Sequence, residues 1–378
     1  MTETTLIAGC DVWTPLGVFE GGSLLIRGAK LARVGSVRPA DVPRGTKRLS
    51  FPGCRAVPGF IDIHTHGGDG ADFIDGSAES AALALRAHLR SGTTAILPTL
   101  ITASKEQTIK ALRALNEAKK RYDDIPEVLG VNLEGPYLSK EKRGVHDEGS
   151  IRPASAAELR EFWEASDGSV RLVTLAPENP GFAAALGFLR RKGVVVAVGH
   201  TNALSKPIAA AVGRGARHAT HLFNAMRGVF HREPGAAGAL LLDDRVSTEV
   251  ISDGQHLHPE IVKMISRVKP ASKVILITDA VKEFGRSKGA ALRTADGTLA
   301  GSLTPLPRML KNYLNYTGVS FADGLRAATL NPAALFGLEG RIGCLQRGAD
   351  ADIVMLDKNF KVRGVFLKGR LVHGGASA

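Results

Sequence analysis

Eight short apolar runs, several of them separated by helix-forming segments, occupy the middle of this chain. The runs are rich in β-branched residues and cover residues 60–66, 93–98, 128–134, 170–176, 194–200, 218–223, 246–252 and 274–279. The clearest helical segments are residues 77–90, 104–121 and 155–165, and capping boxes at Ser104 and Ser155 mark two of their starts. Nearly continuous apolar strands that alternate with helices predict a parallel sheet covered by helices.

The number of these repeats favours one parallel-sheet fold over another. Eight β/α units close a TIM barrel, so we predict an α/β fold built on a (β/α)8 barrel. An open doubly wound sheet is the alternative, but no Gly-x-Gly-x-x-Gly motif follows a first strand. Residues 1–52 and 341–378 contain short strands, too few in either segment for a separate core. We expect the two segments to form one small β-sandwich domain, with the barrel at residues 53–340.

Histidines and carboxylates stand at the ends of five of the predicted strands. They are His64 and His66, Glu134, His200, His221 and Asp279. Residues i and i+2 of a strand share a face, so His64 and His66 are expected to point to the same place. Because the carboxyl ends of barrel strands meet at one mouth, all six side chains are expected there. A single histidine or glutamate at a strand end is usually only solvated or hydrogen-bonded, but their joint occurrence favours a metal site.

Nitrogen and oxygen ligands without thiolate suit Zn²⁺, Fe²⁺, Co²⁺, Mn²⁺ or Ni²⁺. The sequence leaves open whether one ion or two are bound; Glu134 lies between the two histidine pairs and is able to bridge two ions. Asp279 ends the last strand and is the natural base for a water molecule whose pKa a metal ion lowers. Cys10, Cys54 and Cys344 are too few and too far apart to indicate a disulfide framework or a thiolate site.

Several motifs together resemble the amidohydrolase superfamily and, within it, the N-acetylglucosamine-6-phosphate deacetylase family. The matching stretches are Pro-Gly-Phe-Ile-Asp-Ile-His-Thr-His at 58–66, Leu-Glu-Gly-Pro at 133–136, Val-Gly-His-Thr-Asn-Ala at 198–203, Ala-Thr-His-Leu-Phe-Asn-Ala-Met at 219–226, Arg-Glu-Pro-Gly at 232–235, Asp-Gly-Gln-His at 253–256, Thr-Asp-Ala at 278–280 and Gly-Ala-Asp-Ala-Asp-Ile-Val at 348–354. His-x-His alone indicates only the superfamily, whereas the three motifs that begin at residues 133, 219 and 232 are much more specific.

The resemblance implies a role for each candidate residue. Metal ligands would be Glu134, His200 and His221 for the main ion, and His64 and His66 for a second ion. Asp279 would be the general base and then the acid that protonates the leaving amine. The sugar would contact His146, and the phosphate would be held by Arg232, His256 and main-chain N–H groups near Asn224 and Ala225. In the family that arginine can come from the neighbouring subunit, which implies a homodimer.

Composition limits the partners. The net charge is +12, but the basic residues are scattered and aromatics make up 5%, so we expect no nucleic-acid binding. A positive field instead suits a small anionic substrate. No apolar run approaches the ~18 residues of a membrane span. Residues 1–5 lack the basic stretch of a signal peptide, so a cytoplasmic location is expected.

The resemblance and the residues together predict a metal-dependent hydrolase. We expect it to cleave the acetamido group of N-acetylglucosamine 6-phosphate, giving glucosamine 6-phosphate and acetate. Deacetylation of N-acetylgalactosamine 6-phosphate or another amidohydrolase reaction is the alternative, and a catalytically silent binding barrel is a third hypothesis. The segment 281–295 is shorter than is usual in the family, and residues 303–306 depart from its pattern, which leaves the exact amino sugar open.

Overall fold

The computed structural model describes residues 3–15 and 17–375. The outer ends of the two predicted terminal segments, residues 1–2 and 376–378, lie outside this range. The strands in chain order are β1 Thr4–Thr14, β2 Gly17–Arg27, β3 Lys30–Gly35, β4 Lys47–Pro58, β5 Phe60–Thr65, β6 Gly67–Gly68, β7 Ala71–Asp72, β8 Thr93–Ile101, β9 Glu127–Val128, β10 Val131–Glu134, β11 Val170–Leu175, β12 Val195–Val198, β13 His218–Ala219, β14 Ser247–Val250, β15 Val274–Leu276, β16 Ala291–Arg293, β17 Leu299–Ser302, β18 Ile353–Leu356, β19 Val362–Leu367 and β20 Arg370–Gly374.

The helices of the described residues lie mostly between the strands of the middle region. In chain order they are α1 Ala78–Arg90, α2 Lys105–Arg121, α3 Ala156–Ala165, α4 Phe182–Arg191, α5 Ser205–Gly213, α6 Gly235–Leu242, α7 Pro259–Val268, α8 Leu306–Thr317, α9 Phe321–Ala327 and α10 Leu330–Leu335. Serine side chains accept main-chain N–H groups at three of the predicted starts, Ser77 before α1, Ser104 before α2 and Ser155 before α3. Such caps satisfy N–H groups that the first helical turn leaves without a partner.

Eight parallel strands form the barrel, in the order β5, β8, β10, β11, β12, β13, β14 and β15. The two ends of this sheet approach each other at the carboxyl rim, where the Asp279 N–H donates to the His64 carbonyl at 2.9 Å and the His66 N–H donates to the Ala280 carbonyl at 2.7 Å. The predicted (β/α)8 fold class is therefore confirmed. Closure at this rim brings the first and the last strand, with their polar side chains, to one place.

The terminal segments share a second sheet, with the strand order β20-β19-β18-β4-β1-β2-β3. Its central strand β4 pairs with β1 in parallel and with β18 antiparallel, so the two ends of the chain are joined through it. A separate buried apolar cluster, which includes Ile7, Leu24 and Phe366, belongs to this unit. This β-rich unit from both ends agrees with the predicted fold class. The domain boundaries after residues 52 and 340 stay a prediction; β4 runs across the first of them.

Some predicted strands are shorter in the structure than in the sequence pattern. The run 218–223 is a strand only at His218–Ala219, because His221 and Phe223 have φ values of +24° and +76° that end the extended conformation. The run 128–134 is divided into β9 and β10, with Gly130 at a φ of +153° between them. Apolar composition therefore marked the strand positions, whereas the left-handed residues set their ends.

Among residues 3–15 and 17–375, no helix is both long and apolar enough to cross a bilayer.

Candidate metal centre

The polar side chains predicted at the strand ends converge on one carboxylate, that of Glu134. Its Oε1 lies 2.8 Å from His221 Nε2, 3.0 Å from His200 Nε2 and 3.4 Å from His64 Nε2. Its Oε2 lies 3.2 Å from His66 Nε2 and 3.3 Å from His146 Nε2. Glu134 is 2% exposed, so five imidazoles surround a buried anion at the end of β10.

Asp279 lies close to both histidines of the His-x-His pair. Its Oδ1 is 3.3 Å from His66 Nε2 and 3.6 Å from His64 Nε2. Donor atoms of His64, His66 and Asp279 form one group with metal-binding spacing, and those of His64, Glu134 and His221 form a second. Donor atoms of Glu134, His146 and His200 form a third group. These overlapping groups give this chain donors for one ion or for two.

Three of the clustered residues have left-handed backbone conformations. His200 has a φ of +45°, His221 of +24° and Asp279 of +49°. Non-glycine residues adopt such angles at a cost of ~1–3 kcal/mol each and keep them only where the surrounding structure enforces them. Each angle turns a side chain at the end of a barrel strand, and such strain is concentrated at functional sites.

Second hydrogen bonds fix the orientation of the imidazole rings. His200 Nδ1 donates to the Lys142 carbonyl at 2.8 Å, which leaves its Nε2 as an acceptor aimed at Glu134. His146 Nδ1 is held by the Thr102 hydroxyl at 2.8 Å. His64 Nε2 is buried and has no hydrogen-bond partner among the described residues. Bare imidazole nitrogens that face a buried carboxylate are the donor set that a divalent ion of the zinc or iron type accepts.

Electrostatics at this site favour a cation. Burial lowers the pKa of His66, but its hydrogen bonds to Asp279 and Glu134 raise that pKa to about 10. Burial raises the pKa of Glu134, yet the neighbouring imidazoles His64 and His146 hold it well below the usual range. His200 differs, since burial and the charge of His146 lower its pKa to about 4 and keep it neutral. The carboxylates are therefore ionised and His200 is neutral, as metal ligands need to be, whereas His66 carries a proton that a bound cation would displace.

A cavity of about 370 Å³ opens beside the cluster. This volume lies within the range of small-ligand sites, ~300–1,000 Å³. The predicted site residues that line it are His66, Glu134, His146, His200, His221, Asn224, Ala225, His256 and Asp279. Residues Thr298, Leu299 and Ala300, at and before the start of β17, line it as well. Val281, the first residue of the short segment 281–295, also lines the cavity, so this segment contributes to its wall.

Two predicted site residues, His64 and Arg232, do not line this cavity. His64 is fully buried behind it, within the cluster around Glu134. The position of Arg232 is different. It lies in an exposed loop before α6, outside the set of lining residues. Its neighbours Val229 and Phe230 are 53% and 61% exposed. The phosphate-binding candidates that a single copy of the chain brings to the cavity are the side chain of His256 and the main chain at Asn224 and Ala225. His256 Nδ1 is held by Asp253 at 2.8 Å. The role of Arg232 stays a prediction.

Sequence reasoning missed a buried glutamate behind the cluster, Glu249 on β14. Its Oε2 lies 2.9 Å from His64 Nδ1 and accepts the main-chain N–H of His221 at 2.9 Å. Its Oε1 lies 3.0 Å from His218 Nε2. A charged residue inside a predicted barrel strand is the signal that would have identified it.

A parallel barrel with imidazole and carboxylate donors at its carboxyl rim defines the class of metal-dependent barrel hydrolases. The model of the amidohydrolase family matches residues 55–372, and the chain belongs to that family.

Relatives within the family narrow the similarity. The chain is 35% identical over 390 residues to N-acetylglucosamine-6-phosphate deacetylase of Bos taurus, with 95% of each chain covered. It is 34% identical to N-acetylgalactosamine-6-phosphate deacetylase of Escherichia coli O157:H7, over 83% of this chain and 86% of that one. A Mycobacterium smegmatis N-acetyl-D-glucosamine-6-phosphate deacetylase mutant, solved with N-acetyl-D-glucosamine-6-phosphate, superposes with a TM-score of 0.91 at 33% identity, covering 98% of this chain and 100% of that one. The resemblance inferred from the motifs is therefore confirmed.

Proposed function

We propose that this protein hydrolyses the acetamido group of N-acetylglucosamine 6-phosphate to acetate and glucosamine 6-phosphate. The observation that carries this proposal is the buried cluster around Glu134, which opens into a cavity large enough for one sugar phosphate. Similarity to deacetylases over nearly the whole chain supports the substrate class.

The ligand set we propose has two parts. Glu134, His200 and His221, whose facing atoms lie within 3.1 Å of one another, would hold the main ion. His64 and His66 would provide a second site next to Asp279. Zinc or iron is our preferred ion, with cobalt, manganese and nickel as alternatives that such donors also accept. A bound ion would supply Lewis acidity, which polarises the acetyl carbonyl and lowers the pKa of a water molecule.

Asp279 would transfer the proton. Burial raises the pKa of Asp279, but the hydrogen bond from His66 and the charge of His64 lower it further. Its carboxylate is therefore ionised, which is the form that a general base needs. It would take this proton from the attacking water and return it to the amide nitrogen as the C–N bond breaks. The new C–O bond yields acetate, and the protonated nitrogen leaves as the amine. His146, at the cavity wall, would bind the sugar.

The phosphate would lie at the part of the cavity near His256 and the main chain of Asn224 and Ala225. A planar guanidinium suits phosphate oxygens, and we assign that role to Arg232 of a second copy of the chain. Exposed apolar side chains on α6 and in the loops before α5 and α6 support a homodimer; they are Leu204, Val229, Phe230 and Leu242. Sedimentation equilibrium is expected to give twice the mass of the chain; the mass of one chain would contradict the dimer.

We also place the protein in the cytoplasm, because a phosphorylated sugar is too strongly charged to cross a bilayer unaided.

A comparison of substrates tests the proposed function. Metal-loaded protein is expected to release acetate from N-acetylglucosamine 6-phosphate with a kcat/KM at least ~100-fold above that for unphosphorylated N-acetylglucosamine, since charged hydrogen bonds to phosphate are worth ~1.5–3 kcal/mol each. Arg232→Ala should reduce this preference, mainly through KM. N-acetylgalactosamine 6-phosphate is included because a higher kcat/KM for that epimer would identify the alternative substrate. Absence of acetate release from both phosphorylated sugars would refute the proposal.

A further inference from the structure

We propose that Glu249 is a positioning residue that holds His64 in the orientation needed to bind a divalent cation. The inference rests on the proposed metal site and assigns a function to a side chain that the proposed reaction does not use. Glu249 touches neither the cavity nor Asp279; it would act through the ring of His64.

The geometry is a buried chain of hydrogen bonds behind the cluster. Ser247 Oγ lies 2.7 Å from His218 Nδ1, and His218 Nε2 lies 3.0 Å from Glu249 Oε1. The other oxygen of Glu249 lies 2.9 Å from His64 Nδ1. His64, His218 and Glu249 are each 0% exposed, so water does not compete for these bonds.

The donor and acceptor pattern determines which nitrogen of His64 faces the site. Oε2 of Glu249 already accepts the main-chain N–H of His221, so it acts as an acceptor for the Nδ1–H of His64. The hydrogen on Nδ1 leaves the lone pair on Nε2, which lies 3.4 Å from Glu134 Oε1 and 3.6 Å from Asp279 Oδ1. Carboxylates that accept the second N–H of a ligating histidine fix its tautomer and its ring plane.

A role in stability alone does not account for this residue. An ionised carboxylate inside a barrel loses its hydration, and apolar residues of similar size usually stabilise such a position as well or better. Glu249 Oε2, which lies next to His64, also accepts the main-chain N–H of His221. His221 is itself a proposed ligand and has a φ of +24°. One buried carboxylate thus contacts two residues of the cluster.

A mutant cycle on metal affinity tests the proposal. Chelator-stripped wild type, Glu249→Met, His64→Asn and the double variant are titrated with Zn²⁺ against a competing chromophoric chelator. Glu249→Met removes both acceptor oxygens at similar volume and is expected to lower the affinity of a zinc site ~10–100-fold. The double variant should lose less affinity than the sum of the two single losses, because the effect of Glu249 passes at least in part through His64.

Two further variants separate positioning from folding. Glu249→Gln retains an oxygen able to accept from His64 and His221, so its affinity should stay within a few-fold of wild type. Asp352→Asn changes a buried carboxylate away from the barrel rim and is the matched control, expected to bind zinc as wild type does. Circular dichroism verifies folding, and Glu249→Ala replaces the methionine variant in the cycle if the latter does not fold.

The proposal is overturned if Glu249→Met binds zinc like wild type, if Glu249→Gln loses as much affinity as Glu249→Met, or if the losses of Glu249→Met and His64→Asn add in the double variant. Acetate release is measured in parallel on the wild type. Inactive wild type with the expected zinc cycle would refute the proposed function and leave the positioning role intact. Active wild type without that coupling would refute the positioning role alone.

Discussion

At the scale of single residues, the sequence identified the side chains at the rim but not how the main chain presents them. His64 and His66 were predicted from strand alternation to share a face, and both lie within 3.4 Å of Glu134 oxygens. The positive φ values of His200, His221 and Asp279 were not predictable, because they depend on contacts between strands far apart in the sequence. Glu249 was not predicted because it lies inside β14, whereas the pattern that indicated the site was one of polar residues at strand ends.

Asp279→Asn tests the proposed base directly. Asparagine keeps the shape of the side chain but is a poor proton acceptor, so kcat for acetate release should fall ~10²–10⁴-fold, the usual contribution of general acid–base catalysis. Metal content, measured by elemental analysis, should remain near that of wild type, because the proposed main ligands are unchanged. Activity within a few-fold of wild type would show that another group accepts the proton.

At the scale of elements, apolar periodicity was sufficient to position the barrel strands, and serine caps marked α2 and α3. Strand ends were less predictable, since they depend on turns such as the one at His221. The pairing of β4 with both β1 and β18 required the complete fold, because it joins strands about 300 residues apart in the chain. The sequence predicted that strands from both ends form one unit, but not which of these strands pair.

The turn before β18 contains a buried carboxyl group that makes stability depend on pH. Burial raises the pKa of Asp352 to about 7, against a bond from the Lys368 N–H. The folded state therefore keeps a proton that the unfolded chain, with a pKa near ~4, has lost. Stability contributed by this group is present at low pH and is lost as pH rises from ~4 to ~7.

Asp352→Asn removes that titration while it keeps an acceptor for the Lys368 N–H. We expect the variant to gain about 2–3 kcal/mol of stability relative to wild type as pH rises from 5 to 7.5. Urea unfolding of both proteins across this range measures the difference. A difference that is constant with pH would contradict the assignment.

At the scale of the whole molecule, the barrel brings donors from five strands to one rim, and the terminal sheet ties the two ends of the chain together. The family resemblance carried the substrate class, which geometry alone would have left as an unspecified metal-dependent hydrolysis. A single copy of the chain does not bring Arg232 to the cavity, since its loop is exposed and the residue is not part of the cavity lining. The proposed dimer would complete the phosphate site.

Reconstitution with metal tests whether the protein is a metal-dependent deacetylase. Protein stripped of metal with a chelator is titrated with Zn²⁺, and bound metal and acetate release from N-acetylglucosamine 6-phosphate are measured on the same samples. We expect no activity without metal, and activity that rises with bound zinc to a maximum at one or two ions per chain. Full activity in the stripped protein, or no acetate from the zinc-loaded protein, would contradict metal-dependent deacetylation of this substrate.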